Sequence, residues 1–270
     1  MPVILKQKSL YPRFYRSLFA LLFRKGAGGI RRTRGAGGIF LGIAVLALTG
    51  VLAACSRNSQ TATVLGFTEQ EPEGVSFTTR MVVTAGHLRI DDDAGADGFI
   101  LLDRARRTIY SVNHTDRRVL VIEPLKVGLA PPKAFEHRVE QDPEASPSIA
   151  GREVRHYRLY TNGTLCFDVF AADGLLPEVL AALREYHEVL AGEHAAALAR
   201  TPEQFRSACD LADDVFLPVR HLAHGFPVGQ RSAAGRLRDL TDIRTDVAVE
   251  SGLFEWPPDY RRFRTADLRR

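Results

Sequence analysis

The sequence predicts an α+β protein in which a curved antiparallel sheet packs against two helices. Three observations support this fold class. Short runs of alternating apolar and polar residues follow Gly74, as half-buried strands require. Apolar residues at helical spacing occupy 176–194, and the alternation returns after residue 225. Strands followed by helices and then by further strands are typical of an α+β domain.

The first 54 residues resemble a bacterial lipoprotein signal peptide. Three arginines within 31–34 precede an uncharged stretch at 35–54, and "LAAC" ends at Cys55 as a lipobox does. The resemblance implies cleavage before Cys55 and a lipid on its sulfur. An uncleaved transmembrane anchor is the alternative, because twenty uncharged residues can just span a bilayer. Residues 1–30 make the signal unusually long, which indicates a translation start downstream of Met1.

Charge excludes one class of partner. Residues 1–54 hold nine basic and no acidic residues, so the remaining chain has 27 basic and 32 acidic residues. This net charge of −5 lacks the basic footprint of a nucleic-acid-binding protein. We expect a membrane partner instead, through the lipid on Cys55. By resemblance to Gram-negative sorting, Ser56 after the cysteine favours the outer membrane over the inner membrane, with the domain facing the periplasm.

The remaining chain divides into a flexible tether, one domain and a tail. Residues 55–73 are polar without periodicity, so we expect a tether there, a domain at 74–263 and a tail at 264–270. Alternation predicts strands at 75–84, 87–91, 98–103, 107–112, 117–123, 152–160, 165–170, 226–232 and 236–249. A long loop is expected at 124–150, and Asn162-Gly163 is a strong signal for a two-residue hairpin turn.

Two helices are predicted between the hairpin and the last strands. The first has an apolar stripe at i, i+3, i+4 and i+7 spacing, formed by Leu176, Val179, Leu180, Leu183, His187, Leu190 and His194. The second is expected to begin at Thr201 as the N-cap, with Pro202 in its first turn and Gln204 completing a capping box. Its apolar face would run from Phe205 through Cys209 to Phe216.

Two cysteines, Cys166 and Cys209, remain after Cys55 is assigned to lipid. In an oxidising envelope compartment we expect them to form a disulfide, with two unpaired buried thiols as the alternative. Strict alternation places Cys166 on the face of its strand opposite Phe167, so the sequence does not establish the geometry.

A family resemblance supports the predicted fold. "GHLRIDDD", "GFILLDRARRTIYSVNHTDRRVLVI", "IAGREVRHYRL", "GFPVGQRSAAGRLRDLTDI" and "LFEWPPDY" look like an uncharacterised family of bacterial envelope proteins. Members of that family are similar to the lipoprotein carriers LolA and LolB. The resemblance covers residues 74–263 and implies a half-barrel with helices against its concave face.

No catalytic or metal-binding arrangement emerges from the motifs. "HEVLA" begins like a zinc-protease motif at His187, but Ala191 occupies the position of the second ligand. His221 and His224 lie three residues apart without a further ligand pattern nearby, so core histidines are the better interpretation. We therefore expect no catalytic residue, no metal and no cofactor.

Two functions from different classes remain open. A half-barrel only partly covered by helices would leave an apolar cleft, and such clefts are the default binding sites. The predicted walls are Ile100, Leu102, Ile109 and Val121 on strands and Leu180, Leu183 and Leu190 on the first helix. The protein would then be a non-enzymatic binding module for a lipid or other apolar ligand. Alternatively, these side chains fill a dry core and the protein is an interaction or scaffold protein of the envelope.

Overall fold

The computed structural model describes residues 59–92, 97–131, 135–144 and 146–269. The described residues form one large, open, curved sheet. Its strands are β1 (Ser59–Gln70), β2 (Ser76–Val83), β3 (His87–Asp92), β4 (Gly98–Asp103), β5 (Thr108–Asn113), β6 (Arg118–Ile122), β7 (His137–Gln141), β8 (Ser146–Ile149), β9 (Arg152–Thr161), β10 (Thr164–Ala172), β11 (Phe226–Ser232), β12 (Leu237–Glu250) and β13 (Arg261–Arg264). The predicted fold class is confirmed.

The sheet is built from meanders joined in the middle by the two longest strands. Its order is β13-β6-β5-β4-β3-β2-β1-β12-β11-β10-β9-β7, and β8 pairs with β9 outside this path. Neighbours are antiparallel except β13 and β6, which are parallel. Because β1 pairs with β12 over most of its length, the start and the end of the domain are held together at the centre of the sheet.

The predicted tether and tail are wrong for the described residues. Residues 59–70 form β1, a central strand in which Leu65 and Phe67 are buried. The apolar residues of this segment are interrupted by polar ones, and only its pairing on both sides with β2 and β12 makes it a strand. At the other end, β13 continues into a 3₁₀ turn at Thr265–Arg269. The domain therefore extends beyond 74–263 in both directions, and Cys55 lies outside the described residues.

The hairpin of β9 and β10 turns as the sequence predicts. Asn162 and Gly163 have φ angles of 50° and 76°, and both central residues of a type I′ turn require positive φ. Asn162 also accepts a hydrogen bond from the backbone N–H of Glu136 through its side-chain oxygen, at 2.9 Å. The turn is thereby joined to the segment that leads into the edge strand β7.

The long helix α1 (Pro177–Leu198) packs against one face of the sheet. Pro177 occupies its first turn, where its missing N–H costs nothing. On the exposed side of the helix, Arg104 donates two hydrogen bonds of 2.7 and 2.8 Å to the carboxylate of Glu185. Arg107 pairs with Glu188 at 2.7 Å. These ion pairs connect α1 to the turn between β4 and β5.

The second predicted helix begins later than expected. Residues Glu203–Phe205 form only a 3₁₀ turn, and Arg206 is extended. Helix α2 (Ala208–Asp210) starts after Ser207, whose hydroxyl accepts a hydrogen bond from the N–H of Asp210 at 2.9 Å. It continues as a π-helical turn at Leu211–Phe216. The predicted capping box at Thr201 is wrong, because the extended residue interrupts the segment and a second capping residue lies closer to the apolar stretch.

Apolar residues cover both faces of one half of the sheet. On the first face, α1 packs over alternate residues of β1 to β6, forming the larger core cluster. On the opposite face, Phe99, Leu101 and Val119 pack with Phe254 from the C-terminal segment. The ring centres of Trp256 and Tyr110 lie 4.7 Å apart, and this contact fixes the C-terminal segment to the sheet. Among the described residues, no helix is long and apolar enough to span a membrane.

Candidate ligand-binding face

Five of the seven predicted cleft residues lie buried between α1 and the sheet. They are Ile100, Leu102, Ile109, Leu183 and Leu190, and they share the larger core cluster. Leu180 is partly buried at the edge of the same cluster. The relative exposure of the residue is 0% for Leu102 and 1% for Ile109, so these walls contact protein rather than solvent. The predicted walls therefore come together, but as a packed core.

Val121 is the exception, and its assignment to the cleft is wrong. Its neighbours Leu120 and Ile122 belong to the cluster under α1, whereas Val121 packs against the cluster on the opposite face. Successive residues of a strand point to opposite faces of the sheet. Here both faces of β6 are covered by apolar groups, so hydrophobicity alone does not distinguish the two directions.

The apolar face extends beyond α1 onto the central strand β12. Leu240 pairs with Phe67 and Ile243 pairs with Leu65 on β1, so all four face the side of the helix. Leu240 and Ile243 are only partly buried, whereas Phe67 and Leu65 are fully buried. This apolar margin, formed by Leu240 and Ile243, is one of several places on the helix-side face where apolar side chains of the cluster remain partly exposed.

A polar row crosses the same face beside the apolar margin. Gln230 on β11 pairs with Arg238 on β12, which pairs with Glu69 on β1. The Nε of Arg238 lies 3.5 Å from a carboxylate oxygen of Glu69, and its guanidinium carbon lies 4.0 Å from the centre of the Phe67 ring. Glu69 also accepts a hydrogen bond of 2.7 Å from the hydroxyl of Thr79.

Two histidines approach this row from the helical side. The rings of His187 on α1 and His221 are 4.8 Å apart at 85°, and His221 stacks on Phe167 with the ring centres 4.8 Å apart. Burial, aided by the charges of Arg238 and Arg220, lowers the pKa of His221 to about 3. Burial also lowers the pKa of His187 well below its ordinary value. Both rings are therefore neutral at physiological pH.

His224 and His194 lie in different environments from the His187–His221 pair. His224 stacks on Tyr157 with the ring centres 4.2 Å apart, away from the His187–His221 pair. His194 forms a hydrogen bond of 3.2 Å with the backbone oxygen of Asp214. Within the described part of the chain, the one close group of three metal-ligand types is Cys166, Cys209 and Asp213. The two sulfur atoms of this group are joined in a disulfide.

The disulfide between Cys166 and Cys209 joins β10 to α2, with the two Cα atoms 5.2 Å apart. The pairing along β10 jumps from Leu165 to Phe167, which leaves Cys166 as the extra residue of a β-bulge. A bulge places two successive residues on one side of the strand pair. Cys166 and Phe167 thus both face the helices, whereas strict alternation would place Cys166 on the face opposite Phe167.

The π-helical turn beside the disulfide carries buried acidic groups. Asp213 forms an ion pair with Arg220, and burial raises its pKa to about 6 despite this partner. Burial and the negative charge of Asp210 raise the pKa of Asp214 to about 7.

Sequence reasoning did not identify Gln230, Arg238 or Glu69 as site residues. In a strand with one polar and one apolar side, Arg238 is naturally interpreted as a solvated surface residue. Nothing in "RLRDLTDI" shows which side of the strand faces the helices. One signal was available, because Arg238 lies two residues before Leu240 and therefore shares its face. Only the pairing with β1 shows that this shared face is the helix side.

No protein-family model and no curated protein matches the sequence. Several solved structures resemble the fold. An uncharacterised conserved protein from Thermus thermophilus has a TM-score of 0.40 and 8% identity, and the match covers 76% of this chain and 91% of that one. MucB has a TM-score of 0.34 and 10% identity, and the match covers 77% of this chain and 61% of that one. A LolA superfamily protein from Nitrosomonas europaea has a TM-score of 0.26 and 10% identity, and the match covers 74% of this chain and 91% of that one. At these TM-scores the likenesses carry no argument about function.

Proposed function

We propose that this protein is a lipid-anchored envelope lipoprotein that binds a lipid or another apolar ligand without catalysing a reaction. The anchor is the lipid on Cys55, and the domain faces the periplasm, with the outer membrane favoured over the inner membrane. The lipobox-like "LAAC" supports the anchor. The disulfide between Cys166 and Cys209 fits an oxidising compartment.

The apolar margin is the observation that carries the binding proposal. Helix α1 has 22 residues and is therefore about 33 Å long, whereas the twelve strands in the continuous order extend over about 53 Å at the usual strand spacing. The helix covers only part of this width. Leu240 and Ile243 remain partly exposed next to the buried cluster, where an apolar chain can extend the core.

The packing under α1 determines where a ligand would lie. Since Leu102 and Ile109 are already buried by α1, a ligand between helix and sheet must replace existing contacts. Along the apolar margin, each methylene removed from water contributes about 0.8 kcal/mol without such a loss. We therefore place an acyl chain along Leu240 and Ile243, beside Phe67 and Leu65 of the buried cluster.

Native mass spectrometry of protein extracted from its own membrane tests the binding proposal. We expect a bound lipid on the wild type and its loss in Leu240→Gln. Leu165→Gln is the matched control, because Leu165 is an exposed leucine of β10 that pairs with Tyr160 and not with the margin. Equal lipid occupancy in both variants would contradict the proposal.

Metabolic labelling with a fatty acid tests the anchor separately. The wild type should incorporate label and fractionate with the outer membrane, whereas Cys55→Ser should remain unlabelled. Equal labelling of the two proteins refutes lipidation. Recovery of labelled protein only with the inner membrane would refute the sorting step and leave the anchor intact.

The interaction or scaffold function remains the second candidate, and one observation favours it. Five predicted wall residues form a packed core with α1. If the extracted wild type carries no ligand and Leu240→Gln changes nothing but stability, the scaffold function explains the structure better. A lipid that is lost instead from Leu183→Gln, with folding retained, would place the ligand beneath α1.

A further inference from the structure

Three polar atoms beside the apolar margin are buried without a hydrogen-bond partner in the described part of the chain. They are Nδ1 of His221, Oε1 of Gln230 and Nε of Arg238, which lies 3.5 Å from a Glu69 carboxylate oxygen in an ion pair but without hydrogen-bond geometry. His221 is only 3% exposed. A buried polar atom without a hydrogen-bond partner loses its hydration without compensation, so such atoms are uncommon in a folded protein. Three such atoms in one region indicate a place where another molecule supplies the hydrogen bonds.

The strand register brings Gln230 and Arg238 together, and His221 approaches them from the turn that contains Arg220–Leu222. Gln230 and Arg238 are direct partners on β11 and β12. Phe167, on which His221 stacks, pairs with Ser232, two residues from Gln230 on the same face. Diagonal neighbours of this kind lie about 7–8 Å apart, within reach of long side chains. The charge of Arg238 also contributes to the lowered pKa of His221, as expected for near neighbours.

The charges around these atoms are already balanced. Arg238 pairs with Glu69 at 3.5 Å, and Arg236 pairs with Glu71 at 3.6 Å. His221 is neutral at physiological pH. A charged ligand group would leave water without gaining a free counter-charge, and that loss is expensive in a partly buried site. An uncharged group that donates and accepts hydrogen bonds meets no such penalty.

We propose that Gln230, His221 and Arg238 form a subsite for an uncharged hydrogen-bonding group, such as a primary amide or a hydroxyl. Such a group can accept from Arg238 Nε–H and donate to the Oε1 atom of Gln230. The subsite rests on the proposed function and deepens it, because Arg238 lies two residues from Leu240 on the same face of β12. The ligand is then an amphiphile with its apolar chain on the margin and its uncharged head in this subsite.

Titration calorimetry with decanamide and decanoate tests the subsite on the purified full-length protein. We expect the wild type to bind decanamide at least tenfold more tightly than decanoate. Gln230→Met, which keeps the side-chain length but removes the amide, should lose about five- to tenfold in decanamide affinity, as expected for one buried hydrogen bond. The control is Gln70→Met, because Gln70 follows Glu69 on β1 and points to the other face.

Arg238→Met is a second variant in case Gln230→Met fails to fold, with the exposed Arg244→Met as its control. Equal affinities for decanamide and decanoate, or equal effects of variant and control, would overturn the subsite and leave apolar binding intact. Chemical-shift titration with acetamide separates the remaining cases. Acetamide binding that depends on Gln230, without binding of either decyl compound, supports the subsite and overturns the proposed function. Binding of none of the three probes overturns both.

Discussion

The disulfide should carry a large share of the stability of the domain. Cys166 and Cys209 are 43 residues apart in the sequence. Cross-linking residues at this separation lowers the entropy of the unfolded chain enough to stabilise the fold by about 4 kcal/mol at 25 °C. Domains of this kind are stable by only about 5–15 kcal/mol in total. Replacing both cysteines with alanine should therefore lower the free energy of unfolding by about 4 kcal/mol.

Urea unfolding followed by circular dichroism measures this loss. The Cys166→Ala/Cys209→Ala protein is compared with the oxidised wild type and with the wild type in a dithiol reductant. The reduced wild type should unfold close to the double variant, and the reductant should leave the variant unchanged. Hydrogen exchange should increase first at 203–216, because the disulfide joins α2 to β10.

A loss below about 1 kcal/mol would refute the reasoning, provided that mass mapping confirms the bond in the wild type. In that case the packing of α2 against β9 and β10 would hold this segment without the cross-link. Two free thiols in freshly purified wild type would refute the bond itself.

Two further predictions concern α1 and the segment after it. The pKa of Asp214 is raised to about 7 in the folded state, so its ionised form opposes folding. The free energy of unfolding should therefore fall as pH rises from about 4 to 7. Asp214→Asn should reduce this fall and be more stable than the wild type by about 1–3 kcal/mol at pH 8. The exposed Asp246→Asn should change neither the pH dependence nor the stability at pH 8. Urea midpoints across pH measure the stability of both variants. In Gly192→Ala the new Cβ would lie 2.4 Å from the carbonyl oxygen of Leu125. The loop that contains Leu125 must then move, at a cost of about 1–3 kcal/mol. This cost outweighs the gain of about 1 kcal/mol in helix propensity, so Gly192→Ala should lower the stability. Unchanged stability and unchanged exchange at Leu125 in Gly192→Ala would contradict this packing argument.

Local patterns were sufficient wherever the residues themselves dictate a period. The helical stripe that contains Leu183 and Leu190 predicted α1. The buried side of the helix is rotated from that stripe, because Ala182, Tyr186 and Val189 are buried whereas His187 and His194 are partly exposed. The alternation in 98–103 predicted β4, and Asn162-Gly163 predicted the hairpin turn. These elements depend on contacts between residues close in sequence, which the sequence displays directly.

Other features were decided by partners distant in the chain. Residues 59–70 become a central strand only because β12, more than 160 residues later, supplies one of the two strands that pair with them. The direction of Val121 could not be predicted, since both faces of β6 are apolar and covered. The candidate site depends on the same long-range pairing. Gln230 and Arg238 come from neighbouring strands, but His221 is held near them by the packing of its ring on Phe167 and His187.

The sequence by itself determined the strands from β2 to β6, the long helix α1, the α+β class, the turn at Asn162-Gly163 and the candidate cysteine pair, because periodicity and turn chemistry are local properties. The tertiary structure alone decided the extent of the domain, the bulge that turns Cys166 towards Cys209, and the face that each strand presents to α1. Strand register is set by pairing between distant segments, and a shift of one residue exchanges the two faces. The residues of the polar row therefore became a candidate site only when their neighbours in space were known.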